Sequence, residues 1–289
     1  MPPDAPRPSR PGLRRSAVAG VVGVLYFLPV LWMLLAGIKT RPDALATPPK
    51  LIFHPTFEHF RALFTGFTDA GVQVFPTGFA HYIFNSVFIC GSSVLLALAL
   101  GLLAAFGFAR LRLPGGGAIL FYALVLRMIP PLCSIIPLYV IFSRIGLGGS
   151  YVGIILVYTA FNLPFAIWML RSFLLELPRA AEEAAWLDGS SRLRVLWRIC
   201  LPQMPAGVAA TAIIAFVFTW NDFLFSQMLT GVETRTIPVA MLRVLGADFG
   251  TDWGLFAAAG AIYLAPVMLV AFFLQAQLLR GATFGTLTR

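Results

Sequence analysis

The chain has 289 residues, of which 59% are hydrophobic and only 11% charged. Soluble domains carry about 25% charged residues, so a large water-facing surface is excluded and lipid is the expected solvent. The net charge of +9 does not indicate nucleic acid, because the arginines are scattered between apolar runs rather than gathered on one polar face.

A basic, proline-rich tail over 1–15 carries Arg7, Arg10, Arg14 and Arg15. The apolar run 16–37 exceeds the hydrophobic region of a signal peptide, about 7–15 residues. At 1.5 Å per residue it reaches roughly 33 Å, enough to cross hydrocarbon, and is expected to be a retained first span. Further runs at about 81–109, 118–142, 150–173, 204–228 and 255–279 each supply the roughly 20 residues that a spanning helix needs. The expected architecture is all-α and integral to the membrane, with six transmembrane helices.

Basic residues choose the orientation. With both termini inside, thirteen of the 21 Lys and Arg fall in cytoplasmic segments and seven outside, with Arg127 inside the third run. That bias follows the positive-inside rule and gives an N-in, C-in chain. Two outer segments are long. The first, about 39–80, is proline-rich and is expected to be irregular with at most a short helix. The second, about 229–254, is net acidic through Glu233, Asp248 and Asp252. Loops this long are usually functional or disordered.

Three cysteines, Cys90, Cys133 and Cys200, lie far apart in or beside apolar runs and read as packing residues. The two lysines, Lys39 and Lys50, do not follow the GxxxxG that a phosphate-cradling loop requires. No cluster with metal-ligand spacing and no nucleophile–base pair stands out. Energy for any transport must therefore enter through another chain, and no cofactor is expected here.

The densest charge lies in LPRAAEEAAWLDGSSRLRVLWRICLP, within a cytoplasmic segment over about 174–203. Pro178 suits a first helical turn, with Glu182 and Glu183 just behind it. Gly189 can take the left-handed conformation that ends a helix. On the short helix between them, Ala181, Ala184, Ala185 and Asp188 share a small-residue face. Ser190 or Ser191 can cap a second helix, whose apolar face is expected to be Leu193, Leu196, Trp197 and Cys200. Pro202 and Pro205 mark the return into the bilayer. A solvated, incidentally helical loop fits the same pattern.

Glu183-Ala184-Ala185, Asp188-Gly189, Ile199 and Leu201-Pro202 resemble the EAA loop of binding-protein-dependent ABC importer permeases. Asn85-Ser86, Ile129-Pro130-Pro131, Asn162-Leu163-Pro164-Phe165, Trp220-Asn221-Asp222 and Asp252-Trp253-Gly254 are similar to stretches of the maltose-type carbohydrate permeases. The last residues, from Arg280 onward, keep only part of that family's terminal pattern. The resemblance implies a type I ABC importer permease with a cytoplasmic coupling helix formed by Glu182, Glu183, Ala184, Ala185, Asp188 and Gly189. It implies, as partners, a second homologous permease chain, two cytoplasmic ATPase subunits that bind ATP and Mg, an extracytoplasmic solute-binding protein and membrane lipid, but no nucleic acid. On that reading Glu183 is the polar anchor to the ATPase, and Glu233, Asp248 and Asp252 are candidates for contact with the binding protein.

Four polar residues of the apolar runs are candidates for the solute path: Asn162, Trp220, Asn221 and Asp222. Asn162 also has a structural reading, hydrogen bonding to the carbonyl freed by Pro164. Measured along straight helices, Arg127 and Asp222 lie at different depths, so no direct pair is expected. Asp222 is placed at the outer end of a cavity with Trp220 and Asn221. A self-contained ion-coupled secondary transporter is the alternative, but it would leave the charged loop without a purpose.

Overall fold

The computed structural model describes residues 13–69, 72–75, 78–111, 113–245 and 252–284. The chain is almost wholly helical, as a span must satisfy its backbone within itself. In chain order come α1 (Leu13–Gly37), α2 (Arg41–Ala44), α3 (Glu58–Thr65), a two-stranded antiparallel hairpin of β1 (Phe67–Asp69) and β2 (Val72–Phe75), α4 (Phe79–Arg110), α5 (Gly116–Arg127), α6 (Pro131–Arg144) and α7 (Tyr151–Glu176). Then follow α8 (Ala180–Leu187), α9 (Arg192–Val195), a π turn over Leu196–Cys200, α10 (Leu201–Gln203), α11 (Pro205–Trp220), α12 (Leu224–Leu229), a 3-10 turn at Val232–Thr234, α13 (Ile237–Leu245) and α14 (Trp253–Phe284).

Among the described residues, four helices are long and apolar enough to cross a membrane: α1, α4, α7 and the Trp253–Phe272 part of α14. Two bent pairs raise the number to six if each counts as one span. The expected third span is not one straight helix. α5 and α6 meet at 90° across Met128–Pro130, because Pro130 and Pro131 lack the N–H groups that would continue the ladder. A bend of 85° separates Arg192–Gln203 from α11, at the expected turn around Pro202 and Pro205.

The chain forms two compact units. The first comprises 1–77 with 244–262. The segment expected to lie outside, about 39–80, is more ordered than expected, holding α2, α3 and the hairpin rather than at most a short helix. Lys39 is buried, with Nζ 4.8 Å from the Trp32 ring centroid and 5.0 Å from that of Phe53. His59 pairs Nε2 with the Lys39 carbonyl at 2.9 Å.

The second unit comprises 78–243 with 263–289. α4 packs along α7, and α11 lies against both. The close approach is set by Gly101, where an added Cβ would meet Cβ of Ala166 at 3.0 Å. One buried cluster joins Leu102, Phe106, Leu170, Leu174, Leu196 and Cys200. Another joins Ile89, Ile135, Ile154, Tyr158, Phe225 and Leu229. Within the segment expected as the second long outer loop, the stretch around Glu233, Arg235 and Ile237 is folded onto this unit. Asn85 Nδ2 donates to the carbonyls of Glu233 and Arg235, both at 2.9 Å, and Ile237 N donates to Ser86 Oγ at 2.8 Å.

Candidate functional site

α8 has one buried and one exposed side. Its C-terminus closes at Gly189, whose φ of 78° is costly for any residue with a Cβ. The Gly189 N–H bonds to the Trp186 carbonyl and the Ser190 N–H to that of Ala185, which satisfies two carbonyls at the helix end. Pro178 lies ahead of the helix rather than in its first turn. Glu183, Ala181, Ala184 and Asp188 are exposed, while Ala185 is half-buried against the cluster of Leu170 and Leu174.

Glu182, expected among the ATPase-coupling residues, faces the opposite way and is corrected to a buried partner within this chain. Its carboxylate is 2% exposed and takes a two-point bond from Arg110 at the end of α4: Nε to Oε2 at 2.7 Å and Nη2 to Oε1 at 2.6 Å. Arg110 Nη2 also donates to the Leu174 carbonyl near the end of α7, at 2.6 Å. One side chain therefore ties α4, α7 and α8 together. The forked geometry suits arginine, whose donors match a carboxylate in pairs.

Beyond Gly189, Ser191 caps α9 by accepting from Arg194 N at 3.4 Å. The expected apolar face is displaced. Val195, Leu196 and Cys200 are buried, whereas Leu193 and Trp197 are about half exposed. The π turn over Leu196–Cys200 widens the helix by one residue and rotates the stripe away from strict 3.6 periodicity.

Among the candidates within the spans, Asn162 is 2% exposed and bridges helices. Its Nδ2 donates to Thr219 Oγ1 on α11 at 2.8 Å and to the Tyr158 carbonyl at 3.0 Å. That carbonyl is not the one Pro164 frees, which belongs to Ala160, so the expected proline link is replaced by a cross-helix one. Trp220 is 2% exposed and stacked between Phe216 and Tyr263, with Nε1 donating to the Tyr263 carbonyl, so its indole is part of the packing rather than of an open cavity wall. Asn221 is exposed and accepts from Tyr263 at 2.9 Å.

Asp222 accepts from Phe225 N at 3.1 Å and Tyr158 at 3.4 Å, capping the turn into α12. It makes no ion pair with Arg127, whose guanidinium carbon lies 4.5 Å from the Phe218 ring centroid and 5.2 Å from that of Phe165. Yet both line one pocket of about 100 Å³, with Asn162. Depth along straight helices fails as a ruler because α5 ends at Arg127 and the chain turns by 90°. A larger, apolar pocket of about 600 Å³ adjoins it and shares Arg127, Phe161 and Phe225.

Of the candidates expected to meet the binding protein, Glu233 has an 86% exposed carboxylate, while its carbonyl accepts from Asn85 and from Tyr151. Asp252 is instead 7% exposed and caps α14, accepting from Leu255 N at 2.9 Å. Its carboxylate lies 3.8 Å from His59 and 3.9 Å from Arg41. An outward contact through that side chain is therefore corrected to a local capping role. Asp248 lies outside the described residues, as do residues 1–12 and 285–289.

Arg110, Tyr151 and Leu187 escaped sequence reasoning. Arg110 counted only toward loop charge, and 72 residues separate it from Glu182. Leu187, 90% exposed at the end of α8, is a large apolar side chain on an otherwise small and acidic surface, and that mismatch was the available signal. Among the described residues, no group of three or more His, Cys, Asp or Glu is placed to hold a metal ion.

Residues 97–283 match the family described as binding-protein-dependent transport system inner membrane component. The chain is 35% identical over 266 residues to the probable ABC transporter permease protein y4oR of Sinorhizobium fredii, covering 92% of each chain. It is 32% identical to the trehalose transport system permease protein SugB of Mycobacterium tuberculosis, covering 95% of this chain and 98% of that one. Its fold matches a chain of a bacterial ABC transporter involved in import of the acidic polysaccharide alginate, with a TM-score of 0.72 at 19% identity, over 95% of this chain and 99% of the other.

Proposed function

The chain belongs to the binding-protein-dependent transport system inner membrane components, and from that premise we propose that it carries a sugar or sugar-like solute inward by alternating access. It is a multi-pass permease subunit of an inner-membrane ABC importer, driven by a partner. In our reading, it crosses the membrane six times with both termini in the cytoplasm, with α5 and α6 together forming the third span and α11 opening the fifth, after the cytoplasmic segment that ends near Gln203. It hydrolyses nothing itself. ATP and Mg are held by two cytoplasmic ATPase subunits, a second permease chain completes the pathway, and an outer solute-binding protein delivers the cargo. A sugar-like cargo is supported by the relatives named for trehalose, diacetylchitobiose and trehalose/maltose transport.

The observation that carries this reading is the two-sidedness of α8. Its exposed Glu183, Ala184, Leu187 and Asp188 form a surface fit for a groove on a soluble motor, and the Arg110–Glu182 pair fixes its back. ATPase closure then moves α8 as a lever, and α4 and α7 follow through Arg110. Asn162 and Asp222 are assigned to the solute path and Glu233 to contact with the binding protein.

Mild-detergent purification from native cells, with mass spectrometry of the bound chains, tests the proposal. An ATPase and a second permease should co-purify, and sugar-loaded binding protein should stimulate hydrolysis. A chain that emerges alone and drives ion-coupled uptake in liposomes would overturn it.

A further inference from the structure

The stretch that leaves the end of α1 folds back beside it. The Ile38 carbonyl, just past α1, accepts from Thr56 N at 2.8 Å, so residues 39–55 form a loop closed at its base. Two aromatic rings grip one ammonium within that loop: Lys39 Nζ lies 4.8 Å from the Trp32 ring centroid and 5.0 Å from that of Phe53. Lys39 is buried, and a desolvated cation between ring faces is held more strongly than an exposed one. Trp32 stands about two helical turns before Lys39, roughly 10 Å along the axis, and helical side chains lean toward the N-terminus. Phe53 is thereby drawn back below the end of α1, to the level of its apolar run.

The neighbours of Phe53 are large, apolar and uncovered. Ile52 is 95% exposed and Leu51 75%, and Phe57, at the base of the loop, is 72% exposed. Grouped apolar exposure of this kind marks a contact with membrane or with protein. Lys50 precedes the pair with a half-exposed side chain bonded to Asp43 at 2.6 Å, and the exposed His54 follows it. An apolar tip bordered by basic and aromatic residues has the composition of the membrane–water boundary. Continuity selects between the two kinds of contact. A soluble partner meets the loop from the water side, whereas residues 51–53 are held back along α1, a helix long and apolar enough to cross the membrane.

We propose that residues 51–57 are an interfacial anchor: Leu51, Ile52 and Phe57 sink into the outer-leaflet boundary beside α1, with Lys50 at headgroup height and the Lys39 clamp setting the depth. The choice of leaflet rests on the topology proposed above, whereas burial in lipid does not.

The test uses the importer assembled with its partners in nanodiscs of phosphatidylcholine and phosphatidylglycerol, without the binding protein. A nitroxide is placed on I52C in a C133S background, because Cys133 is exposed while Cys90 and Cys200 are buried. It reports collisions with oxygen, which concentrates in lipid, and with a neutral nickel chelate, which stays in water. The oxygen-to-nickel ratio at position 52 should exceed severalfold that of a nitroxide on E233C, where the native carboxylate is exposed. F53A and K39M each remove one part of the clamp and should lower the ratio at 52 severalfold. If K39M does not assemble, F53A decides the matter by the same readout. Nickel collisions at 52 as frequent as at 233 would place the tip in water and overturn the anchor. Few collisions with either reagent would show that protein covers the tip, and the second permease chain would replace lipid as its occupant. An unchanged ratio in F53A would remove the clamp. A membrane-impermeant maleimide should label K50C, in the same background, on intact cells. Labelling only after lysis would overturn the topology and the leaflet, independently of the depth measured at 52.

Discussion

Arg110 holds Glu182 through two parallel bonds of 2.7 and 2.6 Å, with both side chains at most 3% exposed. The pair joins the end of the longest early helix to the short exposed one that follows α7. Removing one partner of a buried pair leaves an uncompensated charge and costs about 3–5 kcal/mol, whereas replacing both with apolar groups is often neutral. E182A should therefore lower the melting temperature of the purified chain and weaken ATPase capture. The double variant R110M/E182L should recover most of the stability. Equal damage in the single and double variants would show that the pair is not the fastening.

Glu183 lies next to Glu182 but on the exposed side of α8. E183K should leave the chain inserted and folded, with an unchanged melting temperature. Solute-stimulated ATP hydrolysis should fall at least about tenfold, equivalent to about 1.4 kcal/mol of coupling. Normal stimulation in this variant would remove Glu183 from its assigned role.

Gly101 sets the spacing between α4 and α7. A valine there meets Ala166, whose Cβ lies 3.0 Å from the added carbon, and forces the helices apart. Overpacking of this kind costs about 1–3 kcal/mol. G101V should unfold at lower temperature, and the compensating double variant G101V/A166G should regain part of the loss. Indistinguishable melting of G101V and the unmodified chain would contradict the tight crossing.

Asn85 tethers the segment after α12 by donating to two carbonyls, and Tyr151 reinforces it with a 2.7 Å bond to Asn85 Oδ1. Each buried group left unpaired costs about 1–3 kcal/mol. N85L should free residues 230–243 locally, which limited proteolysis would detect as new cleavage in that stretch. Retained assembly with lost protection is the expected outcome, and unchanged protection would rule the tether out.

Much of the architecture was legible because apolar length and turn chemistry are local. Run length located α1, α4 and α7 to within a few residues, and Gly189 and Ser191 ended and began helices as their backbone and side-chain chemistry demands. Illegible features depended on neighbours distant in sequence. The 229–254 segment is long enough to read as a loop that is functional or disordered, yet Asn85, Ser86 and Tyr151, from other helices, bond the backbone of Glu233 and Ile237 within it. Likewise, Asp252 carries a charge that suggested an outward contact, but its position before α14 makes it a cap.

The sequence by itself determined that lipid is the solvent, where the long helices lie, and that a small-residue helix ends at Gly189. Those properties follow from hydropathy and backbone preference over a few turns. Only the tertiary structure decided which of two adjacent glutamates faces inward and which faces out. It also decided that Arg127 and Asp222 share a pocket despite different depths along their runs. A helix turns about 100° per residue, so adjacent side chains point to different neighbours, and which neighbour waits there is settled by helices folded from far along the chain.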